Sequence, residues 1–242
     1  MRRQCSPIVW PRRDPRLYRF ALPNAIWEYK LKPIEFVIFS WLCYHSSHGQ
    51  ASAPTAEAVA KYVHLSRDTA KRYLAILVDR GLITSDWLLT LDSQRISSNK
   101  FFTLPNEIFL LDLPPSAFMV YAYLLLIEDR RTHTCHPSYN TIASATGMAK
   151  NTVMKSIDVL LEMQLIAMEH SQYFDRRGMK WNGNNLYTIL PTRAAVDTFH
   201  QRQLDQLALD AKRRRVRKRQ EEYDRRHPRA PLCATIPAPD NT

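Results

Sequence analysis

Glycine is scarce, with five in 242 residues (Gly49, Gly81, Gly147, Gly178, Gly183). Phosphate-cradling loops, dinucleotide fingerprints and nucleophile elbows all need glycines at fixed short spacings, and none can be written from five dispersed ones. Cysteine is equally sparse. Cys5, Cys43, Cys135 and Cys233 form no CxxC pair, which predicts reduced thiols in an intracellular protein rather than a disulfide scaffold. The longest uninterrupted apolar run, Ala117 to Ile127, is eleven residues, short of the roughly twenty that cross a bilayer, so no membrane span is expected. Pro7, Pro11, Arg12, Arg13, Asp14 and Pro15 break up the stretch after the basic start, and a secretory signal is not expected. Metal and catalytic clusters are thin as well. His133-Thr134-Cys135-His136 has no second ligand group at zinc spacing, and His45 and His48 flank two serines without forming a strand-nicking motif. No enzymatic activity, cofactor or metal is predicted.

Acidic residues are also in the minority, with 34 Lys and Arg against 23 Asp and Glu, a formal charge of +11. The excess sits at the ends. Residues 1 to 19 carry six Arg against one acid, and residues 192 to 242 carry twelve bases against seven acids. The 172 residues between them hold sixteen bases and fifteen acids. Basic tails around a neutral core fit a polyanion partner, because each neutralised phosphate releases counterions. Solvated solubility tails are the alternative.

The middle of the chain repeats. Phe20-Ala21-Leu22-Pro23-Asn24-Ala25-Ile26-Trp27 recurs 82 positions later as Phe102-Thr103-Leu104-Pro105-Asn106-Glu107-Ile108-Phe109. The same shift matches Pro33 with Pro115, Phe36 with Phe118 and Leu42 with Leu124. One inserted residue then moves the shift to 83, matching Pro54 with Pro137, Thr69 with Thr152, Leu77 with Leu160 and Leu82-Ile83 with Leu165-Ile166. A register held over some sixty positions marks two copies of one domain.

Each copy predicts the same elements. A proline suited to a first helical turn opens an apolar helix, Ile34 to Tyr44 or Ser116 to Ile127. A hydroxyl at Thr55 or Ser138 precedes a short helix, Ala56 to Tyr62 or Tyr139 to Ala145. A longer helix follows, Arg67 to Arg80 or Lys150 to Met163. Ala70, Leu74, Leu77 and Val78, like Val153, Ile157, Leu160 and Leu161, recur at i, i+4, i+7 and i+8, one buried stripe. A tight break between a short and a long helix, after a buried helix, is a helix-turn-helix. Strand signals close each copy. In the first they are Leu82-Ile83, Trp87 to Leu91 and, beyond a polar tip, Phe101 to Leu104. In the second they are Leu165 to Tyr173 and Leu186 to Ile189. The expected class is mainly α with small β wings (α+β): tandem winged helix-turn-helix domains plus a basic C-terminal helix. The expected parts are a basic arm (1–19), two winged helices (20–100 and 101–191), the basic helix (192–227) and a Pro-rich tail (228–242).

The chain resembles the winged helix-turn-helix proteins of bacterial plasmids and mobile elements. Their domain has an LPN-x-I opening, a Cys-x-Pro-Ser segment, a helix-turn-helix ending in "GLI" and an N-x-Y-x-I close, and the second copy matches through Leu104-Pro105-Asn106, Cys135-His136-Pro137-Ser138, Asn151-Thr152-Val153 and Asn185-Leu186-Tyr187-Thr188-Ile189. The resemblance spans about residues 18 to 191. It implies the winged-helix fold and DNA binding, and a packing role for Cys135. A tandem of this kind is also similar in architecture to certain plasmid replication initiators. Two positions depart from the pattern. The left-handed turn of the helix-turn-helix has Gly147 in one copy but His64 in the other, and the long helix ends on Gly81 in one but Gln164 in the other.

With the stripes buried, Ser66, Arg67, Lys71 and Arg72 face outward in the first copy, and Lys150, Asn151, Thr152 and Lys155 in the second. Arg pairs with guanine and Asn with adenine in a major groove, while Lys and hydroxyls take bases or phosphates. Thr55 and Ser138 suit either a phosphate or a simple N-cap. Arg176, Arg177 and Lys180 sit at the second wing tip, and Arg95, Ser97, Ser98, Asn99 and Lys100 at the first. The arm (Arg2, Arg3, Arg12, Arg13, Arg16, Arg19) suits a minor groove. The C-terminal helix places Val196, Phe199, Leu204, Leu207, Ala208 and Ala211 on a broken apolar stripe before seven bases in Lys212 to Arg219. Homodimerisation or docking is one use of that stripe, and a solvated helix is the other.

The function expected is sequence-specific binding of double-stranded DNA in a bacterial cytoplasm, at the nucleoid. The protein would act as a transcriptional regulator or as a replication initiator of a plasmid or mobile element, with host replication or transcription proteins as partners. The alternative is a winged-helix protein-interaction module whose tails alone hold nucleic acid. RNA is a weaker option, since no aromatic residues interleave with the basic runs.

Overall fold

The computed structural model describes residues 18–47, 54–90, 101–174 and 180–227, with side chains left out at 170–184. Residues up to Thr198 form one compact unit, and Phe199 onward another. In the first unit each copy opens with a strand, β1 (Arg19–Pro23) or β2 (Phe101–Pro105), and a 3-10 helix, Asn24–Tyr29 or Asn106–Leu110. The helices follow as expected: α1 (Pro33–Ser47), α2 (Ala56–Tyr62) and α3 (Arg67–Asp79), then α4 (Pro115–Ile127), α5 (Tyr139–Thr146) and α6 (Lys150–Glu162).

Helix α1 is buried without a break from Glu35 to Cys43, and α4 is buried over most of its length. A helix apolar on all sides needs neighbours on all sides. They are each other, the long helix of their own copy and the strand that opens it. On α3, Ala70, Leu74 and Leu77 are buried, and on α6, Val153, Ile157 and Leu160, so the i, i+4, i+7 stripe faces α1 or α4. Val78 and Leu161 are half-buried at its edge.

The two strand openings pair with one another. β1 runs antiparallel to β2, with Phe20 opposite Leu104, Ala21 opposite Thr103 and Leu22 opposite Phe102. This corrects the expected first wing, in which Phe101 to Leu104 returned against Trp87 to Leu91. The chain after α3 instead reverses within nine residues. Trp87 takes a left-handed φ of 62°, Ile83 bridges Leu89, and the N–H of Thr90 donates to Leu82 at 3.1 Å. Period-two alternation shows that Phe101 to Leu104 is a strand but does not name its partner. The partner is a second apolar strand of the same pattern, at Phe20 to Pro23, and Phe20, Leu22, Phe102 and Leu104 of the pair are buried. The second copy closes with a hairpin, β4 (Ile166–Phe174) and β5 (Lys180–Ile189), bulged between His170 and Gln172. A short strand unforeseen in the sequence, β3 (Thr134–Cys135), flanks β5 and gives the order β3-β5-β4.

The last helix, α7 (Thr192–Arg226), starts in the first unit, where Ala195 and Val196 are buried. In the second unit Leu204, Leu207 and Leu209 are exposed, so the expected apolar stripe has no cover there.

Candidate nucleic-acid interface

Helix-turn-helix geometry leaves one face of α3 and of α6 in solvent, because the opposite face is the core stripe. Arg67, Lys71 and Arg72 are all exposed on the first turn and a half of α3, and Lys150, Asn151, Thr152 and Lys155 occupy the same stretch of α6. Position by position, Arg67 matches Lys150, Lys71 matches Met154 and Arg72 matches Lys155. Both copies therefore show basic and polar groups at the same place, in different chemistry.

The hydroxyls of the site are engaged locally. Ser66 caps α3, accepting from the Thr69 N–H at 3.2 Å while its own hydroxyl lies 2.7 Å from Thr69 Oγ1. Ser138 caps α5 through the Thr141 N–H at 3.0 Å, and Thr55 caps α2 through the Ala58 N–H at 3.2 Å. Capping is thus a present role of all three, and it sets where each helix begins. Ala149, at the head of α6, offers no capping oxygen.

The first copy gathers its polar groups around an open cavity of about 470 Å³, whose lining includes Thr55, Glu57, Arg67, Lys71, Asp86 and Trp87. Glu57, in the first turn of α2, lies 2.6 Å from the Arg67 guanidinium. Its carboxyl is held below the usual range, first by its own backbone amide and then by the Arg67 and Lys71 charges and the Thr55 hydroxyl, against desolvation. Sequence reasoning missed this acid, since ten positions of separation fit no helical period. The signal was an acid in the first turn of the helix preceding the reading helix. Arg72 lies over the Tyr73 ring at 5.1 Å. In the second copy Asn140 stands where the first has Glu57, so Lys150 faces no carboxylate from that position.

Other predicted contacts fall elsewhere. Arg176 and Arg177 lie outside the described residues, as do Arg95 to Lys100 and the arm up to Arg16. Lys180 opens β5. Arg19, counted with the arm, belongs instead to the fold: its Nε and Nη2 donate to Thr103 Oγ1 and O at 2.9 and 2.7 Å. It is the first residue of β1, and both of those donor groups are used there. In the second unit the basic run of α7 is exposed, with Arg213 and Arg217 paired to Asp210 and Glu221 at 3.8 and 2.9 Å.

The Cys135 thiol is buried, and burial together with the Glu128 charge pushes its pKa up to about 12. That keeps it protonated and suits packing. Among the described residues no group of three or more His, Cys, Asp or Glu is placed to hold a metal ion, and no helix is long and apolar enough to cross a membrane.

Two stretches, residues 29–83 and 111–166, each match the Helix-turn-helix domain family. Each match runs from just before the first helix of a copy to just past its long helix, so the chain carries two helix-turn-helix domains in tandem. No curated protein matches the chain. Among solved structures it is similar to a possible transcriptional regulator from Methanosarcina mazei Go1, at 19% identity over 46% of this chain and 89% of the other, with a TM-score of 0.31.

Proposed function

We propose that this protein is a non-enzymatic, sequence-specific double-stranded DNA-binding protein. It acts as a transcriptional regulator or as a replication initiator of a bacterial plasmid or mobile element. The observation that carries the reading is the exposed stretch of α3 and of α6, basic and polar at the same place in two tandem helix-turn-helix domains. Each helix presents its first turns to a major groove, where Arg67 and Asn151 can each make two hydrogen bonds to one base and Lys71, Arg72, Lys150 and Lys155 take bases or phosphates. Thr55 and Ser138 place helix N-termini beside the backbone. The wing-tip bases Arg176, Arg177 and Lys180 and the basic run of α7 add salt-sensitive affinity.

Selection of duplexes from a random library by the full-length chain, at about 150 mM salt to screen the tails, tests this. An enriched motif is expected. Arg67→Ala or Asn151→Ala should then weaken binding to that motif by about 1–3 kcal/mol while sparing random DNA. Equal losses on both would remove the base-reading role. Loss of all binding on deleting residues 1–17 and 199–242 would leave an interaction module with basic tails.

A further inference from the structure

The two copies are related to one another by a local twofold axis, and the contacts between them show it residue by residue. In the β1–β2 ladder Ala21 lies opposite Thr103, its own equivalent 82 positions on, and Phe20 and Leu22 lie opposite the equivalents of each other. An antiparallel ladder with equivalent residues facing each other has a twofold through its centre. The same exchange governs the rings beneath it. Phe20 meets Phe109 at 5.6 Å, and the equivalents of that pair, Phe102 and Trp27, meet at 6.2 Å. Trp27 lies 4.9 Å from Phe36, and Phe109 lies 5.5 Å from Phe118. Phe36 and Phe118, equivalents of one another, touch at 6.3 Å where α1 crosses α4. A head-to-tail tandem would join one surface of the first copy to a different surface of the second; here the same surface serves both, as in an isologous dimer.

The helix-turn-helix units stand beside this seam. His64, in the turn between α2 and α3, lies 3.6 Å from Asp112 of the other copy. Since α3 packs on α1 as α6 packs on α4, the axis that relates the cores relates the reading helices too. DNA has twofold axes of its own, perpendicular to its length, so a protein with this symmetry meets equivalent groups only on half-sites that run in opposite directions.

From this geometry we infer that one chain binds a duplex whose two half-sites are inverted in orientation and different in base sequence. It does alone what a symmetric regulator does as a dimer. The inference rests on the groove-reading role of α3 and α6 proposed above. The half-sites differ because the reading faces differ: Ser66, Arg67, Asp68, Lys71 and Arg72 in one copy against Ala149, Lys150, Asn151, Met154 and Lys155 in the other.

The test makes the two faces alike. In the full-length chain, Ala149→Ser, Lys150→Arg, Asn151→Asp, Met154→Lys and Lys155→Arg give α6 the exposed face of α3, all at exposed positions. Duplexes selected by this variant should be palindromes, bound about tenfold or more tighter than the same half-sites set head to tail. Enrichment of a direct repeat, or of a single half-site, would overturn the inference. Hydroxyl-radical footprinting of the unaltered chain on its own selected duplex needs no substitution, and should give protection symmetric about a midpoint at one chain per duplex. Protection that repeats by translation, or two chains per duplex, would overturn the inference while leaving groove reading intact. If the unaltered chain enriches no duplex at all, the groove reading itself fails and this inference with it.

Discussion

The two copies reach the same backbone by different residues. His64 and Gly147 sit at the same place in the turn before the long helix, with φ of 53° and 68°. Gly81 and Gln164 end the long helices at 69° and 57°, and Lys30 and Asp112 precede the first helices at 45° and 50°. Left-handed backbone favours glycine because a Cβ crowds the neighbouring carbonyl. Each copy nevertheless has glycine at only one of the three sites. The surrounding helices impose the turn, and the residue there sets only how much strain it holds.

Polar contacts differ more. In the first copy Glu35 is buried, accepting from the Lys32 N–H at 3.1 Å and lying 3.4 Å from the Arg80 guanidinium, which also donates to the Tyr29 carbonyl. The second copy has Ala117 and Met163 at these two places. One fold thus accepts either an ion pair or an apolar pair there.

The seam should respond most strongly, and equally from both sides. Phe36→Ala and Phe118→Ala are each expected to lower stability by about 3–5 kcal/mol, with one cooperative transition in denaturant. Two transitions, with one copy shifted alone, would show that the copies fold independently. Next comes the ion pair. Arg80→Met strands a buried carboxylate and should cost about 2 kcal/mol, below the figure for a fully buried pair because Arg80 is partly exposed. Adding Glu35→Ala, which completes the second copy's pair, should recover most of it; a double variant no better than the single would break the equivalence.

At the turns, Gly147→Ala should cost about 1 kcal/mol through backbone strain alone, since no atom lies within 4 Å of the added Cβ. His64→Gly should stabilise by less, because glycine also frees the unfolded chain and the contact with Asp112 is lost. The reverse order of effects, read from denaturant midpoints, would place the strain elsewhere. The smallest effect is on the acid that only the first copy has. Glu57→Gln should free Arg67 and raise DNA affinity at low salt, the gain fading as salt rises. Lowering the pH acts in the same direction. The Glu57 carboxylate is depressed, so its pair with Arg67 is present above the ordinary carboxylate range and is lost only as pH falls through the lowered value. A pH-independent affinity over that range would show that the pair does not compete with DNA.

Much of this was legible in the chain itself. The 82-to-83 shift marked the two copies, and the apolar stripes located α3 and α6 to within a residue of their observed ends. The capping hydroxyls Thr55 and Ser138 marked the starts of α2 and α5, while the Ser66 cap of α3 was seen only in the structure. These signals are local: a stripe or a cap is written within one or two turns of chain, and the surroundings need only agree with it. The Glu57–Arg67 and Glu35–Arg80 pairs were not legible, because they join elements whose spacing follows no period.

By itself, then, the sequence determined that there are two helix-turn-helix copies, which faces of their long helices are buried, and which charged groups of those helices are left outside. Only the tertiary structure decided that the copies share a core, that their opening strands pair with each other, and that the first copy has a tight turn where a full wing was expected. Alternating Phe20, Leu22, Phe102 and Leu104 declare strands with one apolar face. Their partner is chosen by the surface left to bury once α1 and α4 have met, which is a property of the assembled chain and of no stretch within it.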